Sequence, residues 1–309
     1  MFSNVSRSVE YKKRLSEYIR NEYGIESIGI VPAKRGFYGE TWRLDSQYKS
    51  HFLKLDYSPH QTAYERSFPI IEHIRSFGID FISRIVKTKS GGLCTRYDGA
   101  VLCVFDWIDG EHIETDETKI PEYNMLARVY KVPVNGVSIQ REDFTSKCAD
   151  KFYALWAAMD DERINSLLEQ RHTVFEHRAD RLSLFSEKCK NDTTGFVITH
   201  GDAGGNLIKN SGQYFIVDWD DPILAPPERD AWVMCNRDWA RDAFHNALRQ
   251  YGIAYTLRPE RLAYYCYHFF FFYLTSYLES YMASNIVQEL EEYIDGWIQD
   301  SFRYVDSIQ

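Results

Sequence analysis

Cysteine is sparse and scattered. Cys94, Cys103, Cys148, Cys189, Cys235 and Cys266 make no CxxC pair and follow no regular spacing, which argues against a zinc site and a disulfide framework and fits a reducing cytoplasm. A dense Lys/Arg stripe is also missing. With 36 Lys+Arg against 45 Asp+Glu the formal net charge is -9, which argues against a nucleic-acid footprint and favours a cationic small-molecule partner. The N-terminal stretch MFSNVSRSVEYKKRLSEYIRNEYGI lacks the apolar core of a signal peptide and reads as a first amphipathic helix. No membrane span is expected either. The most aromatic run, YYCYHFFFFYLTSYLESY at 264–281, carries His268 and Glu279; its roughly 15 mostly apolar positions fall short of the roughly 20 that cross a bilayer. It reads as a buried helix.

What is present suits a folded globular protein. Over 309 residues, 44% are hydrophobic and 16% aromatic, enough to bury a sizeable core in one large domain or two unequal lobes. After the first helix, IESIGIVPAKRGFYGETWRLDSQYKSHFLKLDY alternates β-branched or aromatic residues with polar ones and predicts three antiparallel strands. TAYERSFPIIEHIRSF, 62–77, has helical spacing and stops at Gly78, with Pro69 inside it. FISRIVKT and AVLCVFDWI predict two more strands. From residue 107 the chain reads as helices at 121–131, 141–170, 175–190, 228–250, 258–283 and 286–304. There is no internal repeat or low-complexity linker, so two lobes, 1–105 and 106–309, are expected to join through FDWIDG.

The β interruption is THGDAGGNLIKNSGQYFIVDWDDP, 199–222, where Asp202, Asp218, Asp220 and Asp221 crowd together. NLIKN and YFIVD, separated by Ser211-Gly212-Gln213, predict a tight hairpin that brings Asn206 beside Asp218. An amide oxygen and a carboxylate side by side suit Mg²⁺, which keeps several waters and takes one or two carboxylates plus phosphates. Asp202 enters from the preceding loop, placed to accept a proton from a hydroxyl nucleophile. The glycines at 201, 204 and 205 suit a sharp turn near a ligand. His200 reads as a hydrogen-bonded core histidine.

HGD, an Asn shortly after it and a strand ending in IVDWD together resemble the motifs of the aminoglycoside phosphotransferase family. LAPPERD, 224–230, is most similar to its spectinomycin phosphotransferase branch. The resemblance implies an α+β, two-lobed protein-kinase-like fold: a small N-terminal antiparallel sheet with one main helix, then a larger, mostly helical lobe. It implies a kinase that moves the γ-phosphate of ATP or GTP, with Mg²⁺, to a hydroxyl of a cationic aminoglycoside or aminocyclitol, working as a monomer or homodimer. Asp202 would be the catalytic base or orienting carboxylate, Asn206 and Asp218 the metal ligands. Lys54 in HFLKLD would hold the α- and β-phosphates, with Glu65 as its helix partner in preference to Glu72. The loop from Arg35 to Thr41, with Gly36 and Tyr38, would cover the phosphates although it lacks GxGxxG, and backbone groups around Phe105 and Trp107 would hold the purine. Asp220, Asp221 and Glu228 are candidates to face the acceptor's amines; Glu228 and Asp230 also suit the N-terminus of a helix.

The family spaces the catalytic Asp and metal Asn five steps apart, whereas Asp202 to Asn206 is four. Gly204 and Gly205 would let the shortened loop close by visiting φ values that other residues avoid. The same fold serves choline, homoserine and thiosugar kinases, and the short loop also motivates a nucleotide-binding pseudokinase.

Overall fold

The computed structural model describes residues 7–33, 39–57, 63–234, 236–279 and 286–309. The chain divides into two compact units. The first holds the chain up to Thr115, with Val132–Ile139 and Gly205–Pro222; the second holds Asp116–Lys131, Gln140–Gly204 and Ile223–Gln309.

In the first unit, helix α1 (Val9–Tyr23) starts at Ser8, whose hydroxyl accepts the Tyr11 N–H, and stops at Gly24 in the left-handed conformation. Strands β1 (Ser27–Pro32), β2 (Gly39–Ser46) and β3 (Ser50–Asp56) follow, then α2 (Ala63–Ser76), β4 (Thr95–Tyr97) and β5 (Ala100–Asp106). They form one antiparallel sheet in the order β1-β2-β3-β5-β4. Tyr11, Leu15, Ile19 and Tyr23, spaced four apart on α1, pack with Trp42, Leu44, Leu53, Leu55, Leu102 and Val104. Because side chains alternate along a strand, Lys54 falls on the other face from Leu53 and Leu55. Phe68 of α2 meets Phe105 edge-on at 5.7 Å, and Pro69 sits within α2.

FISRIVKT is not a strand. Ile82 bridges to Ile216 and Ile85 to Phe105, and neighbouring backbone groups bond Val104 and Asp106 of β5 as well as Ile216. The segment is apolar because it is buried, but its hydrogen bonds are divided between two sheets. The edge place is taken by β4, which turns into β5 at Asp98-Gly99, both left-handed (φ 51° and 82°), the geometry of a tight hairpin written Asp-Gly.

The first unit also contains β6 (Glu111–His112), which pairs with the later hairpin. The second unit begins with α3 (Lys119–Val129), α4 (Lys147–Ala157), α5 (Glu162–Glu169) and α6 (His172–Cys189), then β7 (Val197–Thr199). The 141–170 helix of the sequence reading is broken at Asp161, whose carboxylate caps α5 through the N–H groups of Arg163 and Ile164. The hairpin strands β8 (Leu207–Asn210) and β9 (Gln213–Ile216) belong to the first unit, with β6 as neighbour. β10 (Ile223–Ala225) returns to the second unit and pairs antiparallel with β7. α7 (Glu228–Ala231), a 3-10 turn at Trp232–Met234 and α8 (Asp238–Gln250) replace the single helix expected at 228–250. α9 (Pro259–Glu279) is the long aromatic helix, with Tyr264, Tyr265, Tyr267, Phe270 and Phe271 buried. α10 (Ile286–Asp295) and α11 (Ile298–Val305) divide at Gly296 the helix expected at 286–304. No described helix is long and apolar enough to cross a membrane.

Candidate functional site

The β8–β9 hairpin turns through Ser211 and Gly212, both left-handed (φ 46° and 89°), with Gln213 already paired to Asn210. This two-residue turn matches the strand twist and fixes the register. Leu207 opposes Ile216, and the Asn206 carbonyl accepts the Val217 N–H at 2.9 Å, so Asn206 and Asp218 flank the open end of the hairpin. Asp218 is itself left-handed, φ 64°. A non-glycine residue held there is strained, and such strain gathers at ligand sites.

Lys54 donates to Asp218 Oδ1 at 2.6 Å and also to Asp220 Oδ2. Its ammonium stands 5.5 Å from the centre of the Tyr64 ring. The Tyr64 hydroxyl bonds Asp56 Oδ2 at 2.6 Å and lies 3.2 Å from Asp220 Oδ2. Withdrawal from water would lower the Lys54 pKa, but the charges of Asp218 and Asp220 outweigh it and hold the group well above its ordinary value. Withdrawal from water, and then the Asp218 charge, push the Asp220 carboxyl above its ordinary value, while Lys54 pulls it back. Half-exposed Asp218 presents a hard oxygen where a cation is already favoured, and Asn206 lies across the open end of the same hairpin; a carboxylate and an amide are donor types that fit Mg²⁺. Among the described residues no three His, Cys, Asp or Glu side chains form a ready metal cage, so a metal here would take its remaining ligands from phosphate and water.

The other expected nucleotide residues are placed as follows. Glu65 lies exposed in the first turn of α2 and is not the Lys54 partner; Tyr64, one residue earlier, takes the inward position. Glu72 pairs with Lys87 at 2.8 Å. Phe105 is buried, and its backbone is paired in the sheet with Phe52. The Trp107 N–H donates to Ser50 O at 3.2 Å, and its ring NH to Asp109 Oδ1 at 2.9 Å. Gly36 and Tyr38 lie outside the described residues.

In the second unit the HGD turn is built from beneath. Asp230, buried, accepts the His200 N–H at 3.2 Å, the Gly201 N–H at 2.5 Å and the Tyr130 hydroxyl at 2.9 Å. Arg229 donates to Thr199 Oγ1 at 3.1 Å. Gly201 is left-handed (φ 88°), which favours glycine, and a Cβ there would stand 2.3 Å from the Arg229 guanidinium carbon and have to displace that side chain. His200 Nδ1 accepts the Asp202 N–H at 3.1 Å, which makes His200 a structural hinge-pin for the turn. The Asp202 carboxylate is exposed, and the Tyr273 hydroxyl of α9 donates to its Oδ1 at 3.3 Å.

Two features of the AGG loop differ from the sequence reading. The left-handed glycine is Gly201, ahead of the pair, while Gly205 keeps an ordinary backbone φ. The loop is held instead by a buried side chain: Lys119, paired with Glu122 at 3.0 Å, reaches the Gly204 carbonyl at 3.4 Å.

The three acceptor candidates separate. Asp220 stands on Lys54 rather than facing away from it. Glu228 is buried, its oxygens each 3.0 Å from the Tyr255 hydroxyl and one accepting the Arg258 N–H at 2.6 Å; burial pushes its carboxyl up to about 7. Asp221 is exposed. Tyr64, Tyr273 and Lys119 escaped sequence reading because a lone Tyr or Lys carries no spacing rule; only its contacts reveal it.

A strand lysine held by acids beyond a hairpin, and an exposed aspartate on a braced turn, define a kinase-like α+β protein. The chain belongs to the phosphotransferase enzyme family, whose model matches residues 29–265; it is a phosphotransferase with an alcohol group as acceptor. Similar solved structures include the spectinomycin phosphotransferase APH(9)-Ia in complex with ADP and spectinomycin, 20% identical, covering 94% of this chain and 98% of that one, with a TM-score of 0.76. The microcompartment-associated aminopropanol kinase is 13% identical, covering 96% and 98%, with a TM-score of 0.67. Choline kinase LicA from Streptococcus pneumoniae is 12% identical, covering 96% and 99%, with a TM-score of 0.63. At these identities the likeness concerns the fold. Among curated proteins none matches.

Proposed function

We propose that this phosphotransferase moves the γ-phosphate of ATP to a hydroxyl of an amine-bearing aminocyclitol or aminoglycoside, with spectinomycin the first candidate. The observation that carries the acceptor class is the likeness, over 94% of the chain, to a structure holding ADP and spectinomycin. The net charge of -9 supports a cationic acceptor. Lys54, held by Asp218 and Asp220, would grip the nucleotide phosphates, and Asp218 with Asn206 would hold Mg²⁺. The metal, when bound, neutralises phosphate charge. Asp202, exposed and oriented by His200 and Tyr273, would align the acceptor hydroxyl and take its proton as the oxygen attacks phosphorus. In this reading nucleotide binding belongs to residues 1–105 together with the hairpin, and acceptor handling to the rest of 106–309.

The aminopropanol and choline kinases motivate a second reading with a smaller amino alcohol as acceptor. ADP release measured with Mg²⁺, ATP and either spectinomycin, 1-amino-2-propanol, choline or homoserine separates the two. Release that depends on spectinomycin is expected. Turnover only with a small amino alcohol selects the second reading, and ATP binding without turnover on any of them sinks both.

A further inference from the structure

Lys119 and Glu122, one turn apart on α3, form an ion pair at 3.0 Å with side chains only 4% and 2% exposed. Its position is unfavourable in two ways. The penalty for taking two charges out of water can exceed their attraction, and apolar residues of similar volume in their place are often neutral or stabilising. Lys119 is also the first residue of α3, where the helix dipole disfavours a cation. Stability alone therefore gives little reason for the pair. An apolar pair could not hold a carbonyl, however, and the Lys119 ammonium reaches the Gly204 carbonyl at 3.4 Å.

That carbonyl lies where the chain has least stiffness of its own. Asp202 is followed by Ala203-Gly204-Gly205, and two successive glycines do little to fix their own backbone. On the other side of Asp202, Asp230 accepts the N–H groups of His200 and Gly201 and the hydroxyl of Tyr130, the residue that ends α3. Helix α3 thus secures both flanks of Asp202: Tyr130 acts through Asp230 on residues 200 and 201, and Lys119 acts on residue 204. The helix is itself packed on α8, with the Phe244 ring 4.8 Å from Tyr123 and 6.3 Å from Tyr130.

We propose that the Lys119–Glu122 pair positions Asp202: it fixes the glycine loop so that the carboxylate stays where it meets the acceptor hydroxyl. The inference rests on the kinase reading above and makes Lys119 a positioning residue, needed for the reaction although it is buried away from nucleotide and acceptor. Glu122 aims the ammonium and balances its charge.

The test compares the full-length wild type with the double variant Lys119→Met/Glu122→Leu, which removes both charges at nearly constant volume. Melting temperature, MgATP affinity by calorimetry, hydrogen exchange, and phosphoryl transfer to spectinomycin, choline and 1-amino-2-propanol are measured on both. The variant is expected to melt within about 3 °C of the wild type or above it, with the Kd of MgATP within about twofold. On any acceptor that the wild type phosphorylates, kcat should fall about tenfold or more, because a small displacement of a reacting group is enough for that. Exchange at the Ala203, Gly204 and Gly205 amides should become about tenfold faster while that of α9 is unchanged. A pair that served stability alone would lower the melting temperature and leave this split between loop and helix absent. The proposal is overturned if the variant fails to fold or melts far below the wild type, or if kcat or loop exchange is unchanged. No transfer from the wild type to any acceptor would reject the kinase reading. Loop exchange then decides the brace alone: faster exchange keeps it, and equal exchange ends it.

Discussion

At the scale of single residues, the lysine network departs most from family expectation. The helix carboxylate that resemblance assigns to Lys54, Glu65, is exposed, and Asp220 and Asp218 hold the ammonium instead. Glu65→Gln should therefore leave kcat and the KM for MgATP within about twofold. Asp220→Asn removes one of two counter-charges from a partly solvated pair; about 1 kcal/mol, or roughly fivefold in kcat/KM for MgATP, is expected to be lost. Steady-state kinetics on the two variants checks this, and a larger effect from Glu65 would restore the helix partner. The reason for the difference was not readable. Sequence places Tyr64 and Glu65 on one helix turn but cannot phase that turn against a strand, and a one-residue rotation exchanges a carboxylate for a phenol.

At the scale of elements, the braced HGD turn carries the clearest consequence. Gly201→Ala meets both a left-handed φ and the Arg229 guanidinium. Roughly 1–3 kcal/mol of destabilisation is expected, together with lower kcat as the Asp202 turn shifts. A thermal melt and a rate at saturating ATP measure both; a variant with wild-type melting and rate would mean that the brace does not position Asp202. The hairpin that joins Asn206 and Asp218 was legible because Ser-Gly between two apolar runs writes its own register. The FISRIVKT segment was not, because burial makes a run apolar whether its backbone bonds go to one strand or two. Nor were the breaks at Asp161 and Gly296, where a cap and a glycine interrupt otherwise continuous helical spacing. Asp230 suited a helix start by its position after Pro226-Pro227, yet its observed task is to hold the backbone of His200 and Gly201, thirty and twenty-nine residues earlier.

At the scale of the whole molecule, the fold class was legible from the order of elements: alternating runs first, helical spacing afterwards. One buried acid then ties overall stability to pH. Glu228 sits at about 7 in the folded chain, against about 4.3 in an unfolded one. Between those values the folded state keeps a proton that the unfolded state has released, so stability falls as pH rises from about 4.5 to about 7, by roughly 3 kcal/mol from this group. Glu228→Gln should flatten the fall in melting temperature between pH 5 and pH 7.5; an unchanged slope would place the titration elsewhere. The central claim, however, is catalytic. Its most direct measurement is the transfer of radiolabelled γ-phosphate from ATP to spectinomycin by the wild type and by Asp202→Ala, with folding of both checked by circular dichroism. The account predicts labelled spectinomycin from the wild type and a rate about 10²- to 10⁴-fold lower from the variant. Equal rates from the two proteins would contradict it.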